Sequence, residues 1–394
     1  MVEREVIRRI IIEGQEFVNE ISLTERPFFF EQKGNYVFVG IRQAGKSYLL
    51  YQRIQQLLRE EHNINEIVYI NFDDERLRQM TANDLDLILQ AYHSLFDLRP
   101  LLFFDEIQNI EGWEHFARRL ANQKYNIYIT GSNAKMLSRE IATTLGGRFW
   151  NKDVYPYSFA EYLNARNIIL SKNWMYGKQA AEVSKAFNDY FLYGGFPELT
   201  DVIAKRVWLN DIYSKIFFSD LIVRNKVRNE EALGLLVRRL AENVKQPVSY
   251  TRLANLISSI GIKISKATVI EFIRYLKESC LIFPIENYAA KFAERNSNMK
   301  HYFIDNGLLS IFLLDGNTSL LENIVAIHLY KRYGAQLHFY NQNIEVDFII
   351  PEAKTAIQVS YSLMDETTCR REVEGLIKLN RVFPMDNMCI ITRD

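Results

Sequence analysis

The sequence predicts an α/β protein: a parallel sheet with helices on both faces, then a long helical stretch, then a smaller mixed α/β region. Three observations predict it. Apolar runs of strand length alternate with amphipathic helical stretches from residue 36 to residue 154, the order of parallel strands joined by crossover helices. A glycine-rich turn, Gly40 to Ser47, separates the first strand from the next helix. Past Pro156 the alternation stops.

Taken in order, residues 4–20 place Val6, Ile7, Ile10, Ile11 and Phe17 at roughly helical spacing, which predicts a leading helix. Residues 25–34 carry Pro27 and the Phe28–Phe30 run and read as a connector. Strands are expected at 36–39, 67–72, 101–104, 127–130 and 149–154, and helices at 48–59, 85–96, 113–121 and 136–144. From 159 to about 246 the pattern is almost wholly helical, broken by Tyr193-Gly194-Gly195-Phe196-Pro197-Glu198. Residues 248–285 form a compact unit. Strands return at 301–304, 337–340, 346–350, 356–360 and 388–392, with a helix at 320–333. The expected division is 1–30 leading helix and connector, 31–160 core, 161–246 helical segment, 247–294 compact unit and 295–394 C-terminal region.

Composition excludes several classes. The 394 residues are 48% apolar and 24% charged, with 25 Phe and 22 Tyr, which disfavours disorder. Lys plus Arg and Asp plus Glu are 48 each, so bulk positive charge cannot hold nucleic acid, although a local patch can. Cys280, Cys369 and Cys389 are too few and too scattered for a disulfide framework or a paired metal site, and read as reduced, mostly buried thiols. The N-terminal MVEREVIRRIIIEGQEF is no signal peptide, and no run approaches a membrane span. A cytoplasmic protein without a membrane partner is expected.

Gly40-Ile41-Arg42-Gln43-Ala44-Gly45-Lys46-Ser47 matches G-x-x-x-x-G-K-[ST] in the strand–turn–helix setting that the pattern requires. Glycines let the backbone curl its N–H groups toward phosphate oxygens, and the following helix adds its positive end. These eight residues and Tyr48 are the candidate ATP contacts, with Lys46 for the β- and γ-phosphates and Ser47 for Mg²⁺. Leu101-Leu102-Phe103-Phe104-Asp105-Glu106 is an apolar strand ending in two carboxylates. Asp105 is assigned to Mg²⁺ and Glu106 to activation of the attacking water. Asp73-Asp74-Glu75 is a rival acidic cluster that reads as a turn and helix start. The strand ending in Thr130-Gly131-Ser132-Asn133 can present a polar group near the γ-phosphate; Ser132 and Asn133 compete, with Asn133 slightly preferred for reach. Both types are also favoured at helix N-caps. By spacing alone, Arg148 after Gly146-Gly147 is better read as a surface arginine than as a residue that reaches a neighbouring subunit.

With these residues in view, the chain resembles the AAA+ ATPases, and more narrowly a prokaryotic family that joins an AAA-type ATPase domain to a C-terminal domain of unknown function. GIRQAGKS and LLFFDEIQ are generic to many NTPases; YITGSNAKML, GGRFW, YPYSFAEYL and YGGFPEL are more specific. The resemblance implies a P-loop NTPase core at 31–160, a helical lid at 161–246 and an ATP-dependent switch. It places a sensor at Ser132–Asn133 and raises Arg148 to a candidate arginine finger, with a homo-oligomer to match.

Residues 247–294 resemble a winged helix-turn-helix, with one helix from Ser249, a turn at Gly261–Ile264, a second helix from Ser265, and the wing starting at 281–288. Arg252, Lys263, Lys266, Arg274 and Lys277 outnumber Glu271 and Glu278, so DNA is a candidate partner through residues 252–277, and a protein partner is the alternative. The end of the chain resembles the core of PD-(D/E)XK nucleases, with Glu322 on a helix and Asp347 on a strand. Gln358 and Ser360 stand where that motif has Glu and Lys, which implies a degenerate, inactive site. The expected function is an Mg²⁺-dependent ATPase switch. The alternatives are an ATP-ordered interaction scaffold and, more remotely, an ATP-gated nuclease.

Overall fold

The structure is a computed structural model that describes all residues except 1, 32, 134–135, 137–142, 292–294 and 296. It divides into two compact units, Met1–Tyr155 and Pro156–Asp394.

The first unit contains α1 (Arg4–Glu20), β1 (Asn35–Val39), α2 (Lys46–Arg59), β2 (Ile67–Asn71), α3 (Asp86–His93), β3 (Leu101–Asp105), α4 (Trp113–Asn122), β4 (Ile127–Gly131) and β5 (Phe149–Asp153). Its sheet is parallel throughout, in the order β2-β3-β4-β1-β5. Successive strand residues point to opposite faces, yet Tyr36–Val39, Leu102–Phe104 and Ile127–Ile129 are all buried. Both faces are therefore covered, as continuous apolar strands require. The edge strand β5 is mostly exposed or half-buried. Ring stacking runs across the sheet through Tyr36, Tyr128 and Phe103, with centroid separations of 5.8 and 4.7 Å. On α1, Ile7, Ile10, Ile11 and Val18 form the buried stripe, and the Gln15 amide donates to the Ile67 carbonyl. Phe17, expected on that stripe, is about half exposed and packs edge-on against Tyr51. The expected helix at 136–144 lies largely outside the described residues.

The second unit begins with α5 (Phe159–Ala165), capped by a reciprocal Ser158–Glu161 pair. After it come α6 (Lys178–Tyr193), α7 (Lys205–Lys215), a π-helical stretch Ile216–Val223, and α8 (Glu230–Glu242). Next are β6 (Val248–Ser249), α9 (Tyr250–Ser258), α10 (Lys266–Glu278), β7 (Ile282–Asn287) and β8 (Asn298–Phe303). The chain ends with α11 (Asn306–Ser310), α12 (Asn317–Tyr333), β9 (His338–Asn341), β10 (Glu345–Ile350), β11 (Thr355–Val359), α13 (Glu366–Val382) and β12 (Asn387–Ile391). One mixed sheet gathers these strands in the order β12-β11-β10-β9-β7-β8-β6. β7 pairs antiparallel with β8 and parallel with β9. Residue 295, expected at a boundary, thus falls between two paired strands, because backbone pairing ties the 247–294 segment to the C-terminal strands.

The Tyr193–Glu198 break has a steric cause. Gly194 has φ +77, and a Cβ there would lie 1.9 Å from Asp305 Oδ1. Asp305 accepts the Gly195 N–H at 2.7 Å and the Gly307 N–H at 2.8 Å. The thiols are less buried than expected: Cys280 and Cys369 are half-buried, and Cys389 is exposed. Its exposure follows from β12 being the outer strand of the sheet.

Candidate nucleotide site

β1 runs straight into the phosphate loop. Gly40 is obligatory there, because a Cβ would stand 1.9 Å from the Val154 carbonyl oxygen. Gly45 caps α2 at φ 91, in the left-handed region that favours glycine, and Gln43 is also left-handed at φ 60. Lys46 is 4% exposed, and its Nζ donates to the carbonyls of Gly40 (3.1 Å) and Ile41 (3.0 Å). The same Nζ lies 3.7 Å from Glu106 Oε1.

Because β4 lies between β1 and β3, the ends of three parallel strands meet at one place. Asp105 ends β3 and is buried. Its carboxylate accepts the Tyr69 hydroxyl at 2.8 Å, the Thr130 hydroxyl, and the Ser47 hydroxyl. Burial and then the neighbouring Glu106 charge push the Asp105 carboxyl above the usual range, and the three hydroxyls oppose this. Glu106 follows in a left-handed conformation at φ 51, its N–H donating 3.0 Å to Thr130 Oγ1. Burial raises the Glu106 carboxyl, but Lys46, Gln108, Ser132 and Arg42 outweigh it, so the net shift is downward and the anion is favoured. Ser47 and Asp105 offer hard oxygen donors at one buried acid, which fits Mg²⁺. The glycine-lined loop with Lys46 fits a polyphosphate.

The structure brings Ser132 against Glu106. Ser132 is buried and hydrogen-bonds to that carboxylate, and Gln108 Nε2 lies 3.4 Å from its Oγ. Asn133 is half-buried at the next position. Tyr48 is about half exposed and packs edge-on to Tyr51. Arg148 is exposed and donates to its own turn at Gly146, and its carbonyl accepts from Asn35 at the start of β1. It precedes β5, level with the start of β1 and at the other end of that strand from the phosphate loop. Asp74 caps a short helix and holds Arg76, as expected of a structural cluster.

Four residues went unnoticed in the sequence. Thr130 clamps Asp105 and the Glu106 backbone, Tyr69 holds Asp105, and Gln108 links Glu106 to Ser132. Arg26, from the connector, donates to the Ala44 carbonyl in the loop and to the Tyr155 carbonyl. Its backbone is gripped on both sides by the Gln52 amide of α2. A polar residue at the end of a buried strand was the available signal for Thr130. Nothing local marks the others.

In the second unit, Glu322, Asp347, Gln358 and Ser360 line one cavity of about 860 Å³. Gln358 is turned into structural hydrogen bonds: it accepts the Asp347 N–H and donates to Glu372. The lysine beside Glu322 and Asp347 comes from β8, as Lys300. In the 252–277 segment, Arg274 is paired with Glu271 (3.8 Å) and Glu278 (3.5 Å), which lowers the free basic charge.

The loop, the acid-tipped strand and the central β4 define a P-loop ATPase domain, and the comparisons agree. A family model described as AAA domain matches residues 32–163, and a domain of unknown function matches residues 184–319. An uncharacterized protein of Methanocaldococcus jannaschii, MJ1544, is 32% identical over 98% of this chain and 89% of its own length. An uncharacterized protein of Haemophilus influenzae is 30% identical over 87% of this chain and 86% of its own length. The chain belongs to the family of these proteins, with an AAA-type P-loop ATPase domain followed by a domain of unknown function. Among solved structures, the Walker-type ATPase PABY2304 of Pyrococcus abyssi is similar at a TM-score of 0.45 and 14% identity, over 79% of this chain and 96% of that one. Among the described residues, no helix is long and apolar enough to cross a membrane.

Proposed function

We propose that this chain is an Mg²⁺-dependent ATPase whose nucleotide state in residues 1–155 switches residues 156–394. The convergence of Lys46, Ser47, Asp105 and Glu106 at the end of two parallel strands carries the reading. Lys46 binds the terminal phosphates in place of the Gly40 and Ile41 carbonyls. Ser47 and Asp105 hold Mg²⁺, which when bound neutralises phosphate charge. Glu106, kept anionic beside Lys46, accepts the proton of the attacking water, and Ser132 or Asn133 orients that water. Arg148, remote from its own loop, acts on a neighbouring copy, so the active form is a homo-oligomer. Arg26 supports a route for the switch, because it touches both the phosphate loop and the last residue of the first unit.

The 161–246 lid, the winged-helix reading with DNA contact at 252–277, and a degenerate nuclease fold at the C-terminus complete the proposal. DNA binding of this kind is weak and salt-sensitive, because the patch is small and partly self-paired.

The test is phosphate release from ATP with Mg²⁺, with and without duplex DNA, across protein concentrations. Turnover that is lost in Lys46→Ala is expected, with a rate per subunit that rises with concentration and falls in Arg148→Ala. A concentration-independent rate, equal in Arg148→Ala, removes the finger. No turnover with a large ATP-induced rise in melting temperature replaces the enzyme by an ATP-ordered scaffold. DNA stimulation that is absent in Lys266→Ala/Arg274→Ala supports the winged-helix contact.

A further inference from the structure

Lys300 lies on β8 with 0% exposure, where a lone ammonium is strongly disfavoured. It is compensated from three sides. Its Nζ is 3.1 Å from Glu322 Oε1, 3.3 Å from Asp347 Oδ1 and 4.0 Å from Glu345 Oε1. Three carboxylates gathered at the wall of a polar cavity need a cation, and ions from solvent can approach through that cavity. Several of the carboxylate lone pairs are already used. Glu322 Oε1 also accepts the Tyr302 hydroxyl at 2.7 Å. Asp347 Oδ2 accepts the Val359 N–H at 2.9 Å, and the Gln358 side-chain amide oxygen accepts the Asp347 N–H. Among the described residues, no group of three or more His, Cys, Asp or Glu is disposed to hold a metal ion.

We propose that the Lys300 ammonium is a built-in cation that takes the place of a divalent metal among Glu322, Glu345 and Asp347, making this cavity a metal-independent site. The helix acid Glu322 and the strand acid Asp347 meet at one lysine. They balance a lysine delivered by another strand. This inference does not rest on the ATPase reading, and its test uses the full chain without nucleotide.

Mn²⁺ alone is titrated calorimetrically into the full chain and its Asp347→Asn variant. Equal stoichiometry and affinity are expected, and loss of a Mn²⁺ equivalent in Asp347→Asn overturns the proposal. Lys300→Ala is then expected to gain one Mn²⁺ equivalent, weakened on the order of tenfold or more by adding Asp347→Asn. A folded Lys300→Ala that gains no Mn²⁺ also overturns it. If Lys300→Ala melts early in metal-free buffer, Mn²⁺ is expected to raise its melting temperature by more than that of the parent chain, and an equal or smaller rise counts against the built-in cation.

Discussion

Lys46 at the start of α2 and Lys300 in β8 are both buried, and each faces acid from other elements of the fold. Their partners differ. Lys46 hydrogen-bonds two carbonyls of its own loop and stands 3.7 Å from Glu106, beyond hydrogen-bond distance. Lys300 hydrogen-bonds Glu322 and Asp347 directly, and the same acids also accept the Tyr302 hydroxyl and the Val359 N–H. The first ammonium can leave its partners for a phosphate at small cost, because water or ligand can replace a carbonyl. The second cannot leave without stranding buried charge. A buried lysine is therefore not by itself a sign of a ligand site; what its partners would lose decides.

The sharpest way to break this contrast is to remove each lysine. Lys300→Met should destabilise the chain by about 3–5 kcal/mol, since it leaves buried acids without their cation. Denaturant melts check this, and a loss similar to that of an exposed substitution would refute the closed ion cluster. For the open site the effect should fall on chemistry. Glu106→Gln should keep ATP binding and lower kcat by about 10²–10⁴-fold, and unchanged single-turnover rates would remove Glu106 as the base.

A smaller effect tests how the open site is supported. Arg26→Ala removes charged hydrogen bonds to Ala44 and Tyr155, so ATP affinity should weaken by about 1.5–3 kcal/mol in a binding titration. Arg26→Lys should retain only part of that affinity, because an ammonium lacks the planar fork that reaches both carbonyls. The smallest concerns Asp305, whose carboxyl burial pushes up from 3.8 to about 6 against the backbone N–H groups that it accepts. A folded value above the unfolded one means that the native state binds the proton more tightly. This contribution is full below about pH 4 and disappears as pH rises through about 6. Melting temperature should drop over that window by about 2–4 °C, and Asp305→Asn should flatten the drop. An unchanged slope in the variant would assign the titration elsewhere.

The residues whose types carry the chemistry are legible where they are contiguous. Gly40 to Ser47 and Asp105-Glu106 are each short runs on one strand end, and their residue types have few other uses in that order. The structure puts them in one site because β4 separates β1 from β3, an order that no local pattern encodes. That Ser132 hydrogen-bonds Glu106 follows from the tertiary placement of the β4 end beside the β3 end, which no local pattern shows. Thr130 and Tyr69 were missed because they meet Asp105 from β4 and β2, 25 and 36 residues away.

The sequence by itself determined the alternating elements, the phosphate loop and the acid pair, because periodicity, glycine geometry and charge act over a few residues. Only the tertiary structure decided which strands are neighbours, that the 281–288 strand joins one sheet with the C-terminal strands, and that Lys300 sits among Glu322, Glu345 and Asp347. Those depend on long-range backbone pairing and on the need to neutralise buried charge, and neither leaves a mark on any one stretch of chain.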